Sequence, residues 1–144
     1  MPLEGEHEPS ASDWARHVDR PRVDDVLAAN QAFYDAHESR DLDAMAAVWQ
    51  HGAHSVCIHP GWPILRGWPL IEESWRRIFS GPGRNQFIVT NEVVAVVGDV
   101  AWVTLDENLV DQFATGTVAA TNTFVRTAAG WKLVLHHGSP VRDA

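Results

Sequence analysis

Residues 118–140, VAATNTFVRTAAGWKLVLHHGSP, decide the fold class because they hold two strands and the turn between them. The first part is rich in β-branched residues and ends on Phe124 and Val125, and an apolar-polar alternation begins at Trp131. Ala128-Ala129-Gly130, which lies between the two parts, is typical of a turn. β-Branched and aromatic residues in period-two alternation favour strands, so the stretch predicts an antiparallel pair.

The same pattern extends back to Gln86 and is interrupted at Gly98-Asp99 and at Gly116, which predicts four long strands in all. Before Gln86 the apolar spacing is helical in three places. The helices are expected from Val23, from an N-cap at Asp41, and from Gly67-Trp68-Pro69, with a short strand between His54 and Pro60. Helices followed by a strand meander give an α+β fold in which three N-terminal helices cover one face of a curved sheet.

The composition describes one soluble domain of 144 residues, with residues 1–21 as an acidic flexible tail and residues 22–144 as the folded part. Eleven Lys and Arg against 19 Asp and Glu give a net charge of −8, with no basic run. Nucleic acid and anionic membranes are therefore unsuitable partners. No apolar run approaches the ~20 residues that span a bilayer, so we expect a cytoplasmic protein.

Motifs for nucleotides, nucleophilic serine or paired cysteines are absent from the sequence. A metal site is conceivable because Cys57 and His59 share a strand face and His136 and His137 end another strand. Their spacing matches no zinc pattern, and adjacent histidines in a strand face opposite sides. We therefore expect neither a metal nor a cofactor.

Three polar residues interrupt apolar strand faces, and they are the candidate site. Glu107 shares a face with Ala101, Val103, Leu105 and Leu109, Asn122 with Val118, Ala120 and Phe124, and His137 with Trp131, Leu133 and Leu135. They are expected to converge on the concave side of the sheet and to line a pocket. Two alternatives stay open: Glu107 reaches solvent near the strand end, or the three residues form a hydrogen-bonded cluster in the core.

Two further features concern aromatic residues. Trp62 and Trp68 lie in Pro- and Gly-rich segments near the predicted pocket mouth, where a ring can stack on a ligand or plug the open end of the sheet. Trp102 shares a strand face with Thr104, Asp106 and Asn108, which is too aromatic for an ordinary solvated surface. We expect that face to meet a second copy of the chain in a homodimer.

Several segments together resemble a known family. They are the order of elements, Cys57 to Gly61 (Cys-Ile-His-Pro-Gly), Gly67, Thr121 to Phe124 (Thr-Asn-Thr-Phe), and Trp131 with His136 to Pro140 (His-His-Gly-Ser-Pro). The chain resembles the SnoaL-like branch of the nuclear transport factor 2-like superfamily over Val23 to Val141. It is also similar to the association domain of calcium/calmodulin-dependent kinase II. The resemblance implies a cone-shaped α+β barrel, commonly dimeric, with a pocket between the helices and the sheet.

The superfamily includes isomerases and cyclases as well as binding and assembly modules, so the site has to decide the function. Our hypothesis is a cofactor-independent isomerase, cyclase or dehydratase that acts on an apolar, carbonyl-bearing small molecule. His137 would carry the proton, Glu107 would orient or charge-balance His137, and Asn122 would donate a hydrogen bond to a substrate oxygen. The expected ligand-binding residues are Tyr34, His59, Trp62, Trp75 and Phe124. The alternative is a non-catalytic ligand-binding or oligomerisation module.

Overall fold

Three helices precede and cover a six-stranded sheet in the computed structural model, which describes residues 20–82, 86–110 and 115–142. The helices are α1 (Arg20–Ser39), α2 (Leu42–Val48) and α3 (Trp68–Ser80). The strands are β1 (Val56–Ile58), β2 (Leu65–Arg66), β3 (Gln86–Val97), β4 (Val100–Val110), β5 (Thr115–Thr127) and β6 (Gly130–Pro140). The predicted tail lies outside the described residues up to residue 19, and residues 20–21 already belong to α1.

The predicted helix starts are close to the observed ones, for local reasons. Asp41 is the N-cap of α2, and its side chain accepts a hydrogen bond from the Ala44 backbone nitrogen at 3.0 Å. Pro69 occupies the first turn of α3, where its missing N–H costs nothing. Gly67, just before that helix, has φ +87°, a conformation that glycine adopts without strain.

The sheet has the order β2-β1-β6-β5-β4-β3. All neighbours are antiparallel except β1 and β6, which run parallel. The four long strands form the expected meander, and β2 is an addition that the sequence did not indicate. The prediction of an α+β fold with three helices on a curved sheet is confirmed.

The core lies between the buried face of α1 and the inner face of the sheet. Tyr34 and Phe33 from α1, Trp75 from α3 and Phe124 from β5 are all at most 2% exposed. Burying such large rings supplies much of the hydrophobic stabilisation of a domain this size. The interior is thus filled by aromatic side chains at its centre.

A bulge in β6 changes which histidine faces inward. Thr123 pairs with Leu135 whereas Phe124 pairs with Leu133, so Val134 is an extra residue in β6. Leu133 and His136 are therefore both buried, and His137 is exposed. The expectation that Leu135 and His137 continue the inner row is wrong, because the bulge reverses the alternation after Leu133.

Gly138 continues the inner row beyond the bulge, against Pro60 in the loop after β1. A Cβ atom at position 138 would lie 3.0 Å from both Pro60 Cγ and Val118 Cγ1. Such a contact is tighter than most Cβ contacts in proteins, so its neighbours would have to move slightly to accommodate it. The backbone of β6 approaches this loop so closely because residue 138 has no side chain.

A second bulge lies in β3, where the pairing with β4 shifts between Thr90 and Val93. Asn91, inside the bulge, has φ +56°, in the left-handed region that asparagine tolerates better than most residues. The distortion places Glu92 where its side chain reaches α1. An exposed strand residue thereby contacts the polar side chains of the interior.

Candidate active site

A buried carboxyl group and a phenol form the centre of the site. Tyr34 Oη donates to Glu107 Oε2 at 2.6 Å, a short, charge-assisted distance. Glu107 is 4% exposed and Tyr34 2% exposed. The open question about Glu107 is thus answered: it does not reach solvent, and its partner comes from α1.

Further hydrogen bonds extend from this pair across the sheet. Asn122 Nδ2 donates to Tyr34 Oη at 3.2 Å and to Asn30 Oδ1 at 2.9 Å. Asn30 Nδ2 in turn donates to Glu92 Oε2 at 2.9 Å, and His136 Nδ1 contacts Asn122 Oδ1 at 2.6 Å. We call these six residues, Asn30, Tyr34, Glu92, Glu107, Asn122 and His136, the polar chain.

The structure brings two of the three expected catalytic residues together. Glu107 and Asn122 both belong to the polar chain, whereas His137 lies on the opposite face of the sheet and is exposed. His136 takes the position expected for His137. Both amide protons of Asn122 are engaged, so the donor expected for a substrate oxygen is already used.

A second polar pair lies beside the polar chain, where α3 meets the end of β1. His59 Nε2 is 2.8 Å from Ser74 Oγ, and that hydroxyl donates to the Ile71 carbonyl at 2.6 Å. Since the serine proton is used, the Nε2 of His59 carries the donor proton. Both side chains are buried, at 4% and 3% exposure.

The expected ligand-binding residues surround these two polar groups. His59 packs edge-on against Trp75, with ring centres 4.7 Å apart, and against Trp62 at 4.9 Å. Trp62 is half-buried, and the Arg77 guanidinium lies 5.6 Å from its ring centre. Tyr34, Trp75 and Phe124 are core residues, so only a ligand inside the barrel would contact them.

Burial changes the protonation of the acid and the phenol. Desolvation raises the pKa of Glu107 to about 7, and the hydrogen bond from Tyr34 opposes the rise. Burial and the neighbouring Glu107 carboxylate raise the pKa of Tyr34 well above its usual range. Glu107 therefore exchanges its proton near neutral pH, and Tyr34 stays protonated.

Three imidazoles around Trp75 stay neutral for the same reason. Burial lowers the pKa of His37 and of His59 to about 4. The pKa of the fully enclosed His136 is lowered well below its ordinary value, first by burial and then by His59 and His37. At neutral pH these rings act as hydrogen-bonding groups without charge.

Two buried polar atoms next to this cluster have no hydrogen-bond partner within the described ranges. They are Trp75 Nε1 and His37 Nδ1, whose rings lie 4.9 Å apart between centres. A buried polar atom without a partner costs free energy, so these two atoms are candidates to bind a polar group of a ligand. Trp75 is fully buried, which places its free donor inside the barrel.

The described cavities lie elsewhere. A groove of about 540 Å³ runs between α1, α2 and β6, and one of about 410 Å³ lies on the outer face of the sheet and includes His137. Neither is lined by Glu107 or Trp75. In the described part of the chain, no three His, Cys, Asp or Glu residues form a group suited to a metal, and no helix could cross a membrane.

Sequence reasoning missed four residues of the two polar groups. Asn30 was visible as the one amide in the apolar face of α1, and Ser74 precedes Trp75, a buried residue of α3. Glu92 follows Thr90 and Asn91, and this polar run is a sign of a break in strand alternation. His136 could not be chosen over His137 without the bulge.

Comparison with known proteins supports the fold. A proposed dehydratase of the nuclear transport factor 2-like family from Streptomyces avermitilis is 37% identical, with a TM-score of 0.80 over 85% of this chain and 98% of that one. A proposed calcium/calmodulin-dependent protein kinase type II association domain from Thiobacillus denitrificans is 39% identical, with a TM-score of 0.69 over 81% and 94%.

Two sequence matches complete the comparison. F-box protein SKIP8 of Arabidopsis thaliana is 30% identical over 115 residues, which are 79% of this chain and 48% of that protein. The chain thus spans about half the length of this curated relative. The SnoaL-like domain family matches residues 26–143, the whole of the sheet and nearly all of the helical layer. The chain therefore belongs to the SnoaL-like domain family, within the nuclear transport factor 2-like superfamily.

Proposed function

We propose that the chain is a cofactor-independent acid/base enzyme in which Glu107 carries the proton. The observation that carries this proposal is the buried Glu107–Tyr34 pair, with its 2.6 Å hydrogen bond and a carboxyl pKa of about 7. A group with such a pKa both gives and takes a proton at neutral pH. Glu107 replaces His137 in this role, because His137 lies outside the barrel.

The free donor of Trp75 supports a carbonyl group in the substrate. Its Nε1 is buried without a partner in the described residues, and a carbonyl oxygen would accept from it. Trp75 and Tyr34 both contact Phe33, at 5.7 Å and 4.9 Å between ring centres. Phe33 therefore contacts both the ring that carries the free donor and the phenol that binds Glu107.

The surroundings favour an apolar substrate. Phe33, Trp75 and Phe124 are completely buried around the polar chain and offer only ring faces and edges. Because these rings fill the interior, a substrate enters only if a half-buried ring at the edge, such as Trp62 or Phe87, moves. Similarity to a proposed dehydratase supports an elimination of water from a β-hydroxy ketone as the reaction to test first.

The experiment measures this elimination directly. A panel of apolar β-hydroxy ketones is incubated with the protein, and the conjugated enone is followed by its ultraviolet absorbance. We expect Glu107→Gln to lower kcat about 10²–10⁴-fold, the usual contribution of a positioned acid or base. His137→Gln, a neighbouring exposed histidine, is the matched control and should stay within about twofold of the parent. Equal rates for Glu107→Gln and the parent would refute the role of Glu107.

A specific observation also favours the second candidate, a non-catalytic ligand-binding or oligomerisation module. The members of the polar chain hydrogen-bond to one another, and the described cavities do not include them. The similarity to a proposed association domain agrees with an assembly role. A large assembly in solution that neither converts nor retains any compound of the panel would support this candidate over the enzyme.

A further inference from the structure

Glu92 is the surface end of the polar chain. It is exposed, it lies in the β3 bulge beside the left-handed Asn91, and it accepts from Asn30 at 2.9 Å. We propose that Glu92 is a positioning residue that fixes the direction of the hydrogen bonds in the polar chain and, through them, the tautomer of His136. The inference rests on the proposed function only in giving that tautomer a task, since its test needs no turnover.

The first step is the orientation of two amides. A side-chain amide has a donor end and an acceptor end, whereas a carboxylate only accepts. Glu92 therefore turns the NH₂ group of Asn30 towards the surface and its Oδ1 towards the interior. That oxygen accepts from Asn122 Nδ2, so the Oδ1 of Asn122 points away, towards β6.

The orientation of Asn122 in turn determines which nitrogen of the His136 ring carries the proton. Asn122 Oδ1 lies 2.6 Å from His136 Nδ1 and can only accept, so Nδ1 carries the proton. In the neutral ring Nε2 is then bare, and within the described ranges no side chain donates to it. A bare nitrogen accepts from a hydroxyl group and cannot donate to a carbonyl oxygen. The polar chain thus favours binding of the hydroxyl group of a hydroxy ketone, and not of its carbonyl group, beside His136.

Glu107 is a second anchor at the other end. While it is ionised it accepts from Tyr34, and Tyr34 must then accept from Asn122, which gives the same direction. A protonated Glu107 can donate to Tyr34, which frees the phenol proton for Asn122 and permits the reverse direction. The titratable groups that act on this pair and His136 come from five other positions in the fold: His37 of α1, Cys57 of β1, His59 after it, Glu92 of β3 and His137 of β6.

The contribution of Glu92 should therefore depend on pH. Above the Glu107 pKa of about 7 both anchors impose the same direction on the hydrogen bonds, and below it a protonated Glu107 no longer imposes one. Glu92→Gln keeps the size of the side chain but gives it an amide that serves either direction. In this variant the hydrogen bonds of the polar chain should run in either direction at low pH and keep a single direction at high pH.

Histidine labelled with ¹⁵N reports the tautomer, because protonated and bare ring nitrogens differ strongly in chemical shift. Spectra are recorded at about pH 5.5 and about pH 8.5, on either side of the Glu107 transition, and His136 is assigned with His136→Asn. The parent should show Nδ1–H at both values. Glu92→Gln should add an Nε2–H population of roughly a tenth or more at the lower pH only. Glu73→Gln, at an exposed glutamate of α3, is the matched control and should behave as the parent.

The result has clear alternatives. Pure Nδ1–H in Glu92→Gln at the lower pH, or Nε2–H in the parent, would overturn the inference. Equal mixtures at both pH values would also overturn it, because loss of a negative charge alone would then explain them. If Glu92→Gln keeps a pure Nδ1–H tautomer while Glu107→Gln is inactive, the proposed function stands and the positioning role fails. If Glu92→Gln shows the mixture at low pH while Glu107→Gln is fully active, only the positioning role stands.

Discussion

Buried groups in this barrel respond to pH in opposite directions. The folded pKa of Glu107 is raised from 4.5 to about 7, so its burial costs nothing below pH 4.5 and destabilises the fold as the pH rises towards 7. The folded pKa of His37 and of His59 is lowered from 6.5 to about 4, and that of His136 is lowered further. The contribution of these neutral imidazoles to the stability of the fold is complete above pH 6.5 and is lost as the pH falls towards 4.

Replacing the Glu107 carboxyl group should therefore make the fold more sensitive to low pH. Between about pH 6.5 and 4.5, unfolding takes up three protons on these imidazoles and releases one from Glu107. Glu107→Gln does not release this opposing proton. As the pH falls, its free energy of unfolding should therefore decrease more steeply than that of the parent, by roughly 1.4 kcal/mol per pH unit. Urea unfolding at a series of pH values measures the slope, with Glu73→Gln as control. If the free energy of unfolding of Glu107→Gln and of the parent changed equally with pH, this prediction would be wrong.

At the scale of single elements, the two bulges decide what reaches the interior. The β3 bulge turns Glu92 towards α1, and the β6 bulge turns His136 inward. Each adds a local irregularity to a strand that is otherwise regular. The polar chain exists because both strands depart from simple alternation.

The β3 bulge should be sensitive to the residue at position 91. Asn91 has φ +56°, which glycine adopts freely and a β-branched residue adopts at a cost of about 1–2 kcal/mol. We expect Asn91→Val to lower the free energy of unfolding by about that amount and Asn91→Gly to stay close to the parent. Chemical denaturation compares the two variants. Equal stability of the valine and glycine variants would mean that the left-handed residue is not what shapes the bulge.

The elements were predictable where the local chemistry is strong, and the bulges were not. Asp41, with its capping side chain, marked the start of α2, and the alternation in β4 placed Glu107 on the inner face. In β6 Leu133, Val134 and Leu135 are all apolar, so nothing in the sequence tells which of them is the extra residue. The one-residue error at His137 follows directly from that ambiguity.

At the scale of the whole molecule, the outer face of the sheet exposes several large apolar side chains among its polar ones. Ile88 is 58% exposed, Val93 60% and Trp102 39%, all in β3 and β4. Neighbouring exposed apolar side chains on one face are typical of an interaction surface. A second copy of the chain remains the partner that we predict for it.

A charge on this face should disrupt such a pair. We expect the parent to have the mass of at least a dimer by light scattering at micromolar concentration, and Trp102→Glu to have a lower mass. Ile64, which is 50% exposed in the loop before β2, offers the control Ile64→Glu, which should not change the mass. A monomeric parent would rule out the predicted interface.

The missing side chain of Gly138 has a consequence for the choice of strand register. Two adjacent histidines mean that β6 brings an imidazole inward whether it pairs with or without the bulge, so histidine does not discriminate between the two registers. Without the bulge, Ser139 instead of Gly138 would face Pro60, where a Cβ is only 3.0 Å from the ring. The clash with Pro60 thus penalises the misregistered strand. Gly138 therefore favours the bulged register of the last strand, and Gly138→Ala should weaken this preference.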